Sequence, residues 1–437
     1  MGAKHTLVVI GNGMVGQHFL TKLVHSGISQ NFRIVVFCAE SRPAYDRTHL
    51  SECFVDKTTD DLALAEADFY KRHNITLYLG DKAVKIYRRS KIIISEQGLT
   101  LRYDKLVLAM GSYPFVPPIA GHGRTQCLVY RTVDDWNAIK AAAKNSAVGV
   151  VLGGGLLGLE AAKALTSLGL QTYIVELSPR LMPTQLDDTG SAMLRQQVEA
   201  LGIKVLTGKN THLISQGQQC LHKLCFADGN ELETDMVVFA AGIRPQDEIA
   251  RDCSLDVGAR GGIVINNQCK TSDPNIYAIG ECALWGGAIF GLASPGYAMA
   301  QTVVADLAGQ PSQFLGAKMS THLKLPHINV VSMGDVHAKT PGAVVYSYQN
   351  GANGVYRRLV VSANGKQLLG AVLVGDVSAY TRLLPYFADN LELPSEPDTL
   401  ILPQRPTNSA GFDIYPLPRP STTHLYYDLD NNAACLA

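Results

Sequence analysis

Two stretches of the chain carry one hydrophobic pattern. Residues 5–27 read HTLVVIGNGMVGQHFLTKLVHSG and are followed by FRIVVFCAE. Residues 147–169 read AVGVVLGGGLLGLEAAKALTSLG and are followed by LQTYIVEL. Each is a continuous apolar run, a glycine cluster, an apolar stripe at helical spacing and a second apolar run. The pattern predicts strand, turn, helix, strand, and the unbroken apolar strands predict parallel sheets covered on both faces. Between the copies, residues 74–104 alternate in short runs (ITLYLG, AVKIYRR, KIIISEQG, LTLRYDKLVLA), which predict a meander of strands. The proline-rich SYPFVPPIAG at 112–121 marks a crossover between domains, and MVVFAAGIRP at 236–245 marks the return. The stretch GGIVINNQCKTSDPNIYAIGE then predicts strand, turn and strand back in the first domain, with a helix over 294–308. From about residue 313 four strand-like runs (HINVVSMG, AVVYSYQ, GVYRRLVVS, LLGAVLVG) precede a helical stretch at 378–390.

The glycines give these elements a chemistry. Gly11, Gly13 and Gly16 form GxGxxG between strand and helix. In that spacing the first glycine permits the tight turn, the second lets backbone approach a pyrophosphate, and the third lets helix pack on strand. The helix N-terminus then faces the anion, with Asn12, Met14 and Val15 completing the loop. Glu40 ends the following strand, where a carboxylate can bind the hydroxyls of an adenosine ribose. Gly153, Gly155 and Gly158 repeat the fingerprint with Gly154, Leu156 and Leu157 between and after them, and Glu176 ends the second strand. A carboxylate there repels a 2′-phosphate, which favours NADH over NADPH, although Arg180 argues the other way. Two such sites in one chain read most economically as a resident and an exchangeable dinucleotide, FAD and NAD(P)H. The run IYAIGE, ending in Gly280 and Glu281, assigns FAD to the first site: a carboxylate there can bind ribityl hydroxyls, which a pyridine nucleotide lacks. The expected architecture is α/β, with two Rossmann-like domains for FAD and NAD(P), one inserted in the other. The FAD-binding domain takes residues 1–115 and 243–312, the NAD(P)H-binding domain 116–242, a small α+β cap 313–403, and an irregular proline-rich tail 404–437.

Composition narrows the partners. Of 437 residues, 38 are Lys or Arg and 38 are Asp or Glu, so no overall basic field points to nucleic acid. No apolar run reaches the 18 residues of a membrane span, and the short N-terminal run is not a signal peptide. The nine cysteines form no CxxC and no zinc or iron–sulfur spacing, which suits free thiols in the cytoplasm. The 12 histidines include no HExxH, so no metal site is expected.

Beyond the fingerprints, the chain resembles the pyridine nucleotide-disulfide oxidoreductase superfamily, in the two-fingerprint branch of rubredoxin, ferredoxin and nitrite reductases. Within it the chain is most similar to the FAD/NAD-binding N-terminal region of NAD(P)H-dependent nitrite reductase large subunits. The stretches that carry this are RPAYDRTHLS (42–51), GGGLLGLEAA (153–162) and VELSPRLMPTQLD (175–187), continued by FAAGIRP, IYAIGECA, GLASPGYAMA, MSTHLKL and LLGAVLVGD. The resemblance implies that Glu40 and Arg42 flank the FAD adenosine, that Arg47 lies near the flavin or its pyrophosphate, and that Ala109, Gly111, Gly280 and Glu281 belong to the flavin site. It also implies that Glu160 lies near the nicotinamide and flavin rings and that Gly242 passes the nicotinamide. His49 and His322 sit in segments shared with the family, where they either border the flavin or pack. The caps of such relatives often form dimer interfaces, so a homodimer is open.

Two departures shape the expected activity. Nitrite reductase large subunits continue into cluster-binding and sirohaem modules, whereas this sequence reaches Ala437 with a lone Cys435 and supplies no cluster ligands. Electrons passing from NAD(P)H to FAD are therefore expected to go on to a separate acceptor. That acceptor is free flavin, a ferredoxin- or rubredoxin-like protein, or a partner reductase, monooxygenase or halogenase. The redox CxxxxC of disulfide reductases is also absent after the first helix. Cys53 is the thiol close to the expected flavin and offers either thiol or peroxide chemistry or a merely structural role. A third reading is a non-catalytic NADH-sensing flavoprotein, with the tail as a partner contact.

Overall fold

Each glycine turn lies at the end of the central strand of a five-stranded parallel sheet. The computed structural model describes residues 4–54 and 58–403, without the side chains of 52–54 and 324. In the first sheet the order is Ile276–Ala278, Lys105–Leu108, His5–Ile10, Phe32–Cys38, Ile75–Leu79. The second runs Cys127–Val129, Met236–Phe239, Val148–Leu152, Gln171–Glu176, Lys204–Thr207. Both are parallel throughout. A three-stranded antiparallel sheet, Ala83–Tyr87 with Ile92–Ser95 and Thr100–Arg102, follows the last-named strand of the first; Thr211–Gln216, His222–Phe226 and Glu231–Thr234 do the same for the second. The duplication therefore extends well beyond the fingerprints. It differs in one respect: the second copy's edge strand, Cys127–Val129, precedes its fingerprint, while the first copy's, Ile276–Ala278, comes after the whole second copy. The two crossing segments pair with each other, Ser112–Pro114 antiparallel to Ile243–Pro245.

Ile75–Leu79 does not belong to the expected meander but is the edge strand of the first parallel sheet, paired with Phe32–Cys38. Only one of its sides has a neighbouring strand, and its burial is uneven, with Ile75 buried but Thr76 and Leu79 exposed, which gives it the alternating look of an antiparallel strand.

The helix Met14–His25 forms from the expected stripe, burying Phe19, Leu20 and Leu23. These pack with Leu7, Val8 and Val9 and with Met299, Ala300 and Val303 of the helix Ala293–Leu307. The cap is a five-stranded antiparallel sheet, ordered Ser320–Leu325, Ile328–Gly334, Leu368–Val374, Val355–Val361, Val344–Asn350. The first of these is an addition to the four expected runs. On one face the helix Tyr380–Ala388 inserts Leu383 and Phe387. On the other lies the helix Asp188–Ala200, tied down where Asp187 accepts from Tyr356 at 2.5 Å and from Arg358 at 3.1 Å. Among the described residues no helix is long and apolar enough to cross a membrane.

Candidate functional site

The two turns are built alike atom by atom. Gly11 sits at φ +106° and Gly153 at φ +120°, conformations that side chains rarely adopt. A Cβ on Gly11 would lie 2.3 Å from the Ala109 carbonyl oxygen, and one on Gly153 would lie 2.4 Å from that of Ala240. One on Gly16 would meet the Gly11 oxygen at 2.3 Å, and one on Gly158 the Gly153 oxygen at 2.0 Å. Gly13 and Gly155 cap the two helices in extended conformations, and a Cβ on either would meet nothing within 4 Å. Neither helix start is capped by a side chain or carries an acid in its first turn. By contrast, Val133–Ala143 is closed by a capping box of Thr132 and Asp135. The two fingerprint helices thus present free N–H groups and the positive end of the dipole to a ligand.

A cavity of about 720 Å³ opens over the first turn, within the usual range of ligand pockets of about 300–1,000 Å³. Gly11, Asn12, Gly13, Met14, Val15, Glu40, Arg47, Ala109, Gly111, Gly280 and Glu281 all line it. So do Leu156, Leu157 and Glu160 from the second helix. Gly16 and Gly158 lie beneath their turns, and Gly153, Gly154, Gly155, Glu176 and Gly242 lie away from this cavity. Arg42 is also outside it and turns to Asp134 at 3.3 Å. The Cys53 side chain falls outside the described residues.

The acids are already held in place. Glu40 accepts from the Tyr45 hydroxyl at 2.8 Å and pairs with Arg47, while Tyr45 accepts the Val133 N–H at 3.2 Å. Glu281 accepts from Ser112 Oγ at 2.7 Å and pairs with Arg131, whose guanidinium also donates to Ser112 at 2.8 Å. Arg131 and Tyr45 do not emerge from the sequence. The signal available for Arg131 is the capping box beginning at Thr132, which fixes the preceding residue at the helix entrance. Glu176 accepts the Gly154 N–H at 2.6 Å and the Ser178 N–H at 2.7 Å. Arg180 pairs with Asp188 at 2.6 Å. Burial pushes the Glu160 carboxyl up to about 7, against the opposing influence of His49.

These features fit an extended polar dinucleotide in the cavity. Asn12 Oδ1 and Arg131 Nε are buried without a hydrogen-bond partner, and both residues stand at the cavity wall. Buried polar atoms of this kind are satisfied by a ligand or water. Among the described residues no group of His, Cys, Asp and Glu is arranged to hold a metal ion.

Comparison with known proteins agrees. Residues 5–308 match the pyridine nucleotide-disulphide oxidoreductase family. Residues 320–389 match the rubredoxin NAD+ reductase C-terminal domain. The chain is 50% identical over 402 residues to the NADH nitrite reductase large subunit of Escherichia coli, covering 92% of this chain and 48% of that protein. It is 34% identical over 385 residues to the assimilatory nitrate reductase electron transfer subunit of Bacillus subtilis, covering 87% and 49%. The chain thus spans about half the length of these curated relatives. In fold it is similar to the ferredoxin reductase for the CYP199A2 system of Rhodopseudomonas palustris, with a TM-score of 0.80 at 24% identity over 89% of this chain and 96% of that one.

Proposed function

Because the chain belongs to the pyridine nucleotide-disulphide oxidoreductase family, we propose that it is an FAD-dependent NAD(P)H oxidoreductase passing electrons to a separate acceptor. The reading is carried by one observation: side chains that follow the second fingerprint line the cavity over the first. A nucleotide on the second turn is thereby directed toward a cofactor on the first. The family membership supports FAD and NAD(P)H as the two ligands. When bound, the flavin accepts a hydride from the nicotinamide and hands its electrons onward.

The protein's part is to hold and orient. The turn from Gly11 to Gly16 takes the FAD pyrophosphate, Glu40 the adenosine ribose, and Glu281 the ribityl chain, with Arg131 and Ser112 fixing that carboxylate. Gly153 to Gly158 take the second pyrophosphate and Glu176 its adenosine ribose, while the Gly242 backbone passes the nicotinamide. Leu156 and Leu157 exclude water where the rings meet. The domains are 1–115 with 243–312 for FAD, 116–242 for NAD(P)H, and 313–403 for the cap. The seven described cysteines are all free thiols, which suits a reducing compartment such as the cytoplasm.

The acceptor is free flavin, a ferredoxin- or rubredoxin-like protein, or a partner reductase, monooxygenase or halogenase. Stopped-flow reoxidation of the NADH-reduced protein distinguishes them. Fast turnover with free FAD or FMN identifies a flavin reductase; failure there, with turnover on a ferredoxin, eliminates that version.

NADH is the favoured donor, since the Glu176 carboxylate opposes a 2′-phosphate. Glu176→Ser is expected to raise kcat/KM for NADPH relative to NADH by about 10- to 100-fold, the size of a close like-charge repulsion near a surface. An unchanged ratio would remove Glu176 from the specificity site.

A further inference from the structure

We propose that Glu160 senses the redox state of the nicotinamide, its carboxylate favouring the cationic ring of NAD+ so that NAD+ binding releases a proton while binding of the neutral reduced ring does not. The inference rests on the reading of the second fingerprint as the nicotinamide site.

Glu160 lies on the helix Leu156–Ser167, just past Gly158, and lines the shared cavity beside Leu156 and Leu157. A nicotinamide extended from the second turn toward the first must pass it. Its helix packs on the segment Arg47–Phe54, the strand Ser320–Leu325, and the strands Val148–Leu152 and Gln171–Glu176. The described titratable groups on these neighbours are Arg47, His49, His322, Tyr173 and Glu176, of which His49 exerts a positive influence on Glu160; the side chains of Glu52, Cys53 and Lys324 fall outside the described residues. Arg47 is paired with Glu40, and His49 is hydrogen-bonded to Asp46 at 2.7 Å. The His322 ring is 5.4 Å from that of Tyr380. Tyr173 accepts from Lys204 at 3.0 Å, and Glu176 holds the Gly154 and Ser178 amides. Val148–Leu152 contributes no titratable side chain, and Lys163 lies on the helix itself.

Burial brings the Glu160 carboxyl to about 7, so both of its forms are present near neutrality. A cation beside a carboxyl group favours the ionised form. NAD+ therefore lowers the proton affinity of Glu160, and by linkage NAD+ binds more weakly as pH falls through about 7. A neutral reduced ring carries no such penalty. Hydride transfer changes the ring from neutral to cationic, and the same carboxyl thus registers which nucleotide is bound.

The test uses the FAD-loaded protein and measures binding rather than turnover. Dissociation constants are taken for NAD+ and for tetrahydro-NAD, whose ring is neutral and cannot give hydride. NAD+ affinity is expected to fall about 5- to 10-fold from about pH 8 to about pH 6, with the tetrahydro analogue changing less than about twofold. Glu160→Gln should flatten the NAD+ profile. His49→Gln should move its midpoint to higher pH, because the positive influence that lowers the Glu160 pKa is lost. A flat NAD+ profile in the native protein, or a steep one that survives Glu160→Gln, overturns the proposal while leaving the nicotinamide site intact. If neither nucleotide binds, the second fingerprint is not a nicotinamide site, and both readings fall.

Discussion

Gly158→Val is expected to give a protein that keeps its flavin but no longer bleaches it with NADH. A Cβ at Gly158 would stand 2.0 Å from the Gly153 carbonyl oxygen and 2.9 Å from its carbon, both fixed backbone atoms. The helix Leu156–Ser167 must then lift from the strand Val148–Leu152, and the turn that would hold the pyrophosphate is pushed out of shape. The second core should survive this, because Val150, Val151, Val237 and Val238 are fully buried and overpacking at one position costs about 1–3 kcal/mol. The first turn, at Gly11 to Gly16, lies in the other sheet and is not strained. The expected loss is at least about 100-fold in kcat/KM for NADH, near 3 kcal/mol of transition-state binding. Flavin content per chain and anaerobic bleaching, measured on the same sample, report the two sites separately. Loss of flavin with nicotinamide binding retained would reverse the assignment of the two turns.

Gly11→Ala should do the opposite and leave the protein without flavin. Two costs coincide there: φ is +106°, and the new Cβ would sit 2.3 Å from the Ala109 oxygen and 2.6 Å from its carbon. Left-handed backbone alone costs a non-glycine residue about 1–2 kcal/mol. The contact adds to this, since Ala109 directly follows the strand Lys105–Leu108 and is buried in a close-packed core. Gly27→Ala is the control: φ is +76° but nothing lies within 4 Å, so it should show the backbone cost and keep its flavin. Flavin content and Tm of the two variants check this. Equal flavin loss in both would place the effect in general instability rather than in the turn.

The parts of this fold legible in the sequence are those whose cause is local. A glycine turn needs particular residues at fixed spacing, so both fingerprints and the acids Glu40 and Glu176 can be placed from residue type and spacing alone. Burial of both faces makes the central strands readable as parallel. Ile75–Leu79 reads as part of the meander because an edge strand has one bare side, and the resulting alternation is the same signal an antiparallel strand gives. Ser320–Leu325 does not read as a strand because Ser320, Thr321, His322 and Lys324 break its apolar run. The clamps on the acids are invisible for another reason. Arg131 reaches Glu281 across 150 positions, and Tyr45 reaches Val133 across 88, so neither pair leaves a local trace. The capping box beside Arg131 marks a helix start but not the direction of the guanidinium.

The division of labour between the turns is tested most directly by anaerobic titration of the purified protein with NADH, followed by release and identification of its flavin. The expected result is stoichiometric FAD whose visible absorption is bleached completely by an equimolar amount of NADH. A protein that cannot be loaded with FAD, or whose FAD stays oxidised with excess NADH and NADPH, would contradict it.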